Sequence, residues 1–235
     1  MTALSALGPV KLMGLLNRRE DLTLQQFSAH WRTTHKVEAL KLTQFLTGYI
    51  QNHCYEQPLP GFQNVADGCP ELWFAKPEDI AAMQTSDEYM TGAYIDEPNF
   101  MDGRSSGIML QERTISAGPI AAKDEAMVRV NVFIKATDRD ALIDDLKSGD
   151  EPVIALAKAP VRHCRGIAPQ VEADAPLYDA MESYWWPDME TFEKAWGKGY
   201  IATDYAQLVD QPACAGLLTK ELRVIWPDDG IDYSA

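Results

Sequence analysis

No stretch of the 235 residues approaches the roughly 20 consecutive apolar positions of a membrane-spanning helix, so no span is expected. Met1–Pro9 has neither a basic n-region nor a long apolar core, and no secretory leader is expected there. The chain has no glycine-rich dinucleotide fingerprint, no phosphate-binding loop, no nucleophile elbow around a serine, and no cysteine spacing for c-type haem or iron–sulfur clusters. Cysteine is scarce: Cys54, Cys69, Cys164 and Cys214 form no CxxC and suggest neither a disulfide framework nor a zinc knuckle. A reducing cytoplasm is the simplest expectation. Positive charge is also short. With 21 Lys and Arg against 35 Asp and Glu the net charge is −14, which argues against nucleic acid or an anionic membrane as partner.

What remains is an ordinary core-forming composition, 46% hydrophobic, with 6 Trp, 9 Tyr and 7 Phe. Val10–Asn17 reads as a strand. Thr23 and Gln26 form a capping box, Leu22 can staple to Phe27, and Leu24, Phe27, Trp31 and Leu40 mark the buried stripe of a helix from Leu24 to about Leu42. Strands are expected at Gly48–Cys54, Pro70–Ala75 and Ile108–Ile115. Between the first two, Gln57–Gly68 reads as a loop placed to act as a lid. Pro77 opens a second helix towards Glu88, and Thr91–Arg104 reads as irregular.

Beyond a linker around Ser116–Glu125 the pattern starts again. Val128–Lys135, Arg162–Ile167, Glu182–Trp186 and Leu217–Ile225 read as strands. Thr137–Lys158 and a segment after Asp188 read as helices. Trp73-Phe74 precedes Ile80 as Trp185-Trp186 precedes Phe192, and Ile108–Ile115 resembles Leu217–Ile225. The period, just over roughly 100 residues, fits a duplicated domain rather than a solenoid. The counterpart of Glu71 stays open between Ser183 and Glu182. A four-stranded sheet whose helices cover one face must bury the other against a second sheet. The expected organisation is therefore α+β: two ferredoxin-like repeats, 1–118 and 124–235 with a linker at 119–123, closing one β-barrel with helices outside. Two chains would make a homodimer of barrels.

The chemistry-bearing residues concentrate in Phe27–His53 and Asp67–Phe74, with three of the four histidines in the first stretch. Trp31 and His35 share a helix face; Tyr49, Gln51 and His53 share a strand face; so do Glu71 and Trp73. The expectation is that Tyr49, Gln51 and His53 point into the barrel, the alternative being that Ile50, Asn52 and Cys54 do. Glu71 is expected inside, where burial would raise its pKa unless it is paired, for instance with Lys11. His30 stands five positions from His35, a poor spacing for a metal pair, and no metal is expected.

The pattern F-x-x-x-W-x-x-x-H, then G-Y-x-Q-N-H, then D-G-x-x-E-L-W-F resembles the EthD-like family of the dimeric α+β barrel superfamily, over roughly Lys11–Ile115. The resemblance implies ferredoxin-like units pairing their sheets into a barrel with a cavity. It allows cofactor-free monooxygenases, isomerases, dehydratases and haem enzymes, so the fold alone does not choose a reaction. His35 is the family-matching histidine. The second half has only His163, whose His163-Cys164 echoes His53-Cys54, and it lacks the W-x-x-x-H pattern.

From these residues we expect a cofactor-independent lyase acting on a hydrophobic phenolic aromatic. It would eliminate water or a small carbonyl fragment such as formaldehyde through a quinone-methide-type intermediate. Glu71 or His53 would be the base, and His35 or Tyr49 would donate or orient. Trp31, Trp73, Gln51, Tyr184 and Trp186 would line the substrate. A cofactor-free phenol or hydroquinone monooxygenase and a non-catalytic binding protein are the alternatives.

Overall fold

The computed structural model describes residues 7–103, 105–117, 127–148, 160–169, 175–196 and 206–225. The expected linker at 119–123 and the expected helical continuation over 149–158 lie outside them.

The strand-forming stretches fold as β1 (Val10–Leu15), β2 (Gly48–Cys54), β3 (Gly68–Phe74), β4 (Ser106–Ala117), β5 (Val128–Ile134), β6 (Arg162–Ile167), β7 (Ala180–Trp186) and β8 (Ala215–Ile225). They close one antiparallel barrel in the order β1-β3-β2-β8-β5-β7-β6-β4. Each half contributes a four-stranded sheet of ferredoxin-like order, and the halves are joined along two seams, β2 with β8 and β4 with β6. Closure leaves no unpaired sheet edge. The helices lie outside the barrel. Among the described residues the longest are α1 (Leu24–His30), α2 (Glu78–Gln84), α3 (Arg139–Ser148) and α4 (Met189–Trp196). No helix among the described residues is long and apolar enough to cross a membrane.

Thr23 caps α1 with the full capping box, its side chain accepting from Gln26 N–H while Gln26 returns a bond to Thr23 N–H. The helix then widens into a π turn at Trp31–His35 before continuing through Lys36–Ala39. Such single turns recur at functional sites. Thr91–Arg104, read from sequence as irregular, is in large part helical: a second π turn at Tyr89–Ala93 runs into Tyr94–Asp96 and a 3-10 turn at Glu97–Asn99. The sequence hides this helix because Gly92 and Pro98 interrupt it. A Cβ at Gly92 would stand 2.5 Å from Glu38 Oε2, the movable end of that side chain, so the glycine lets Glu38 lie close against this helix. Ser116 and Ala117, assigned to the linker from sequence, finish β4 instead.

Register fixes the internal equivalences. Lys11 pairs with Trp73 as Arg129 pairs with Trp185, and Met13 pairs with Glu71 as Asn131 pairs with Ser183. Ser183, not Glu182, is thus the counterpart of Glu71. Likewise His163 stands where Tyr49 stands, opposite Tyr184 and Leu72 respectively, so the His-Cys echo was a coincidence of sequence.

The segment read as a lid is instead a strap. Leu59 is buried in the apolar core of the second half with Trp196 and Leu218, and Trp196 Nε1–H donates to Pro60 O at 3.3 Å. Gly216 makes room for it: a Cβ there would lie 2.6 Å from Leu59 and 2.7 Å from Phe62.

Candidate functional site

Strand alternation sends the expected site residues to three separate places. Inside the barrel lie Glu71 and Trp73. Against the helices of the first half lie Trp31, His35, Tyr49, Gln51 and His53. Against the helices of the second half lie Tyr184 and Trp186, packed with Phe192 and Trp196.

The interior chamber is a sealed ionic network. Glu71, fully buried, receives Arg129, accepts from Asn52 Nδ2 at 2.7 Å and stands 3.1 Å from Lys11 Nζ. Lys11 also pairs with Glu112. Arg129 Nη2–H donates to Ser183 Oγ at 3.0 Å, and Ser183 donates to Asn131 Oδ1 at 2.8 Å. The arrangement follows the internal symmetry, for Glu221 holds the position of Glu112 and lies 3.8 Å from Arg129. Trp73 and Trp185 flank it, with Lys11 5.5 Å and Arg129 4.2 Å from their rings. Burial works to raise the Glu71 carboxyl, but Arg129 and Lys11 outweigh it and hold the group below the ordinary carboxylate range. The sequence-based expectation of a Glu71 base near neutral pH is therefore corrected: the paired alternative holds, and the partners are Lys11 and Arg129.

Tyr49, Gln51 and His53 face α1, not the barrel; Ile50, Asn52 and Cys54 point inward. The pattern misled because both faces of β2 are buried, so the alternation has no polar face to reveal. Their side chains form a closed relay. Ser28 Oγ–H faces His53 Nδ1 at 2.8 Å, His53 Nε2 faces Gln51 Oε1 at 3.1 Å, and Gln51 Nε2–H donates to both Tyr49 OH and Trp31 O at 3.0 Å. Trp31 Nε1–H completes it on Tyr49 OH at 3.0 Å. Gln51 thus presents its carbonyl to His53, which fixes the Nε2–H tautomer. Burial, helped by Arg32 and Lys220, pushes His53 down to about 3; burial pushes Tyr49 up to about 12. His53 has spent both ring nitrogens and does not meet Glu71, which lies across the sheet. The two expected bases cannot act together.

The remaining cluster is one the sequence reading missed, because its organiser lies in the stretch read as irregular. Asp96 binds two histidines. His35 Nδ1–H donates to Oδ2 at 3.0 Å, and His30 Nε2 lies 2.9 Å from Oδ1. Asn99 Nδ2–H adds a bond at 3.2 Å. Phe100 packs against both imidazoles, 5.1 Å from His30 and 4.9 Å from His35. Burial works to raise the Asp96 carboxyl, but bonds from Asn99, His30 and His35 outweigh it and lower its pKa. Burial lowers His35, against the pull of Asp96, which keeps the ring neutral near pH 7. Unlike His53, His35 keeps Nε2 free of any hydrogen bond among the described residues, at a side chain 11% exposed.

In the second half His163 and Arg165 both engage Glu182, and His163 lies flat on Tyr184 with ring centroids 4.6 Å apart. A cleft of about 760 Å³ runs between α3 and strands β4 and β6, lined by residues that include Gln111, Arg139, Ile143 and Arg165. A haem held through histidine, which the resemblance allows, does not fit that cleft: none of its described lining residues is a histidine or cysteine. Among the described residues no three His, Cys, Asp or Glu side chains gather as a metal site.

Residues 19–104, which span the π turn, both histidines of the Asp96 cluster and Glu71, match the model of the EthD domain. No curated protein matches the sequence. Solved structures share the fold across almost the whole chain. One is described as anthrone oxidase-like, at 8% identity and TM-score 0.61, covering 94% of this chain and 95% of the other. A protein of Fusobacterium nucleatum subsp. nucleatum described as a candidate monooxygenase aligns at 8% identity and TM-score 0.56, covering 92% and 93%. A mutant chlorite dismutase of Candidatus Nitrospira defluvii aligns at 11% identity and TM-score 0.54, covering 91% of each chain. At these identities the likeness is one of fold.

Proposed function

We propose that this chain, whose residues 19–104 match the EthD domain, is an acid–base enzyme: a cofactor-independent lyase that releases water or a small carbonyl fragment such as formaldehyde from a phenolic aromatic. One observation carries this reading. Asp96 binds His35 through Nδ1 and leaves Nε2 without a hydrogen-bond partner among the described residues, on a neutral ring whose side chain is 11% exposed. A carboxylate behind an imidazole fixes its tautomer and stabilises the imidazolium that forms when the far nitrogen takes a proton. His35 therefore takes the base role that the sequence offered to Glu71 or His53, and those two residues serve the scaffold.

In this mechanism His35 Nε2 accepts the phenolic proton. The phenolate electrons expel a para-benzylic hydroxide, which takes a proton from solvent and leaves as water, and a quinone methide forms. Transfer to water of a proton from the neighbouring carbon, or of the hydroxyl proton of a neighbouring hydroxymethyl group as it departs as formaldehyde by retro-aldol cleavage, restores the aromatic ring as a phenolate, which takes its proton back from the His35 imidazolium. His30, the second ligand of the Asp96 carboxylate, lies on the more exposed side, where protons exchange with water. A second reading, oxidation of a phenol by a cofactor-free monooxygenase, draws support from the fold shared with proteins described as monooxygenase and anthrone oxidase-like.

The test is to offer the protein phenolic benzylic alcohols and their methyl ethers, with product mass, formaldehyde and dissolved oxygen followed together. The phenols are expected to be converted without oxygen uptake and the ethers to stay intact. His35→Gln is expected to slow turnover by about 10²-fold or more, the usual worth of a positioned proton acceptor. Oxygen consumed in step with product establishes the monooxygenase reading instead. Binding without conversion makes the protein a carrier.

A further inference from the structure

Buried polar atoms in folded proteins are almost always hydrogen-bonded, to protein or to ordered water. Inside the barrel, four of them have no hydrogen-bond partner among the described residues: Asn52 Oδ1, Asn131 Nδ2, Arg129 Nε and Glu221 Oε1. Asn52 and Asn131 are 0% exposed, so bulk solvent does not reach them. The four belong to one connected set. Asn52 and Arg129 meet on Glu71 Oε1, and Arg129 reaches Asn131 through Ser183. Each asparagine spends one end of its amide on that chain, Asn52 its nitrogen and Asn131 its oxygen, and the opposite ends are left over.

Glu221 shows the same half-use. Its Oε2 accepts from Trp185 Nε1–H at 3.2 Å and from Arg223 Nη2–H at 3.1 Å, whereas Oε1 stops 3.8 Å from Arg129 Nη1. The equivalent pair of the first half, Lys11 with Glu112, is in direct contact. A polar contact beyond about 3.5 Å is where a bridging water enters.

The leftover atoms select the guest. Two are donors, Arg129 Nε–H and Asn131 Nδ2–H, and two are acceptors, so the guest both donates and accepts. It carries no charge, because Lys11, Arg129 and Arg223 are already matched by Glu71, Glu112 and Glu221, and an added ion would stay unpaired in the interior. It is also small. The next inward positions, Met13, Cys69, Leu110, Phe133, Met181 and Leu217, pack as one apolar cluster on one side of the polar belt. A closed barrel of this strand number has room inside for side chains and one small guest at most.

We propose that the barrel interior is a binding site for ordered water. Arg129 Nε–H and Asn131 Nδ2–H donate to these waters, which donate in turn to Glu221 Oε1 and Asn52 Oδ1. The waters are part of the fold, and the site is independent of the reaction proposed above.

Two measurements on the full chain, with water itself as the probe, test this. Oxygen-17 relaxation dispersion reports waters held longer than the tumbling time of the protein. Nitrogen-resolved rotating-frame Overhauser spectra locate them, with a sign opposite to that of proton exchange. Direct contacts from water to the Asn131 side-chain amide and to Arg129 Nε–H are expected. Asn131→Leu, similar in size but without the amide, is expected to lose part of the dispersion amplitude and to keep the Arg129 contact. If circular dichroism shows that this variant does not fold, the wild-type contacts decide alone. A missing contact at either wild-type group overturns the proposal. So does an unchanged dispersion amplitude in folded Asn131→Leu, or a bound molecule other than water in the native mass spectrum.

Discussion

Arg129, on the second half of the barrel, donates to Glu71 on the first, while the position equivalent to Glu71 holds Ser183. One carboxylate therefore serves cations from both repeats. A second carboxylate at 183 would stand beside the same Arg129 and repel Glu71 across the chamber. The asymmetry is what lets one carboxylate, Glu71, pair with both Lys11 and Arg129.

Glu71→Gln accordingly acts on stability rather than on turnover alone. It leaves Lys11 and Arg129 facing a neutral amide in a sealed interior, and stripping one partner from a buried pair typically costs about 3–5 kcal/mol. Urea denaturation is expected to show a loss of that order. A variant as stable as wild type with only a kinetic defect would return Glu71 to the catalytic candidates.

His53 sets a pH dependence of known sign. Its folded pKa of about 3 lies below the ordinary value of 6.5, so between those values the unfolded chain binds a proton that the folded chain refuses. The stabilisation is present above the unfolded value and is lost as pH falls towards the folded one, at up to about 1.4 kcal/mol per pH unit for one site. Urea midpoints from pH 7 to 5, above the range where carboxylates titrate, should fall for wild type and stay flatter for His53→Gln.

Much of the architecture was legible because alternation, the capping box around Thr23 and the doubled Trp-aromatic pairs are local signals. The duplicated barrel and the inward Glu71 followed from them. The orientation of Tyr49, Gln51 and His53 did not, since β2 is buried on both faces and its polar residues are spent on partners from α1 and β3. Asp96 escaped for a different reason. Its role depends on two histidines more than 60 residues upstream in the chain, and the helix presenting it is broken up by Gly92 and Pro98. Arg129 was hidden likewise, since a strand of valines gives no hint that its one arginine reaches a carboxylate across the barrel.

Asp96→Asn isolates the pairing at the proposed base. Removing the carboxylate removes the influence that holds His35 up against burial. The His35 pKa, followed by imidazole nitrogen NMR, is expected to fall further below its wild-type position. An unchanged titration would mean that Asp96 does not act on His35 electrostatically, and the base assignment would lose its support.

The strap gives a purely mechanical expectation. Leu59→Ala empties a filled position in the second-half core and should cost about 2–5 kcal/mol. Gly216→Ala should be nearly as harmful for the opposite reason, its added methyl meeting Leu59 and Phe62. Combining the two should cost somewhat less than the sum, because the smaller side chain at 59 relieves the clash with Leu59 while that with Phe62 remains.

Barrel closure also sets an order of events during synthesis. The β2 edge finds its partner only in β8, and the β4 edge only in β6. While the ribosome is still making the second half, the first is a sheet with two open edges and an uncovered inner face bearing Lys11, Glu71 and Glu112. Contacts so distant along the chain form slowly, and open edges recruit other chains. A polypeptide stopped before Ala215 should therefore accumulate as aggregate, since β8 is the strand that joins β2 to β5 and shuts the barrel.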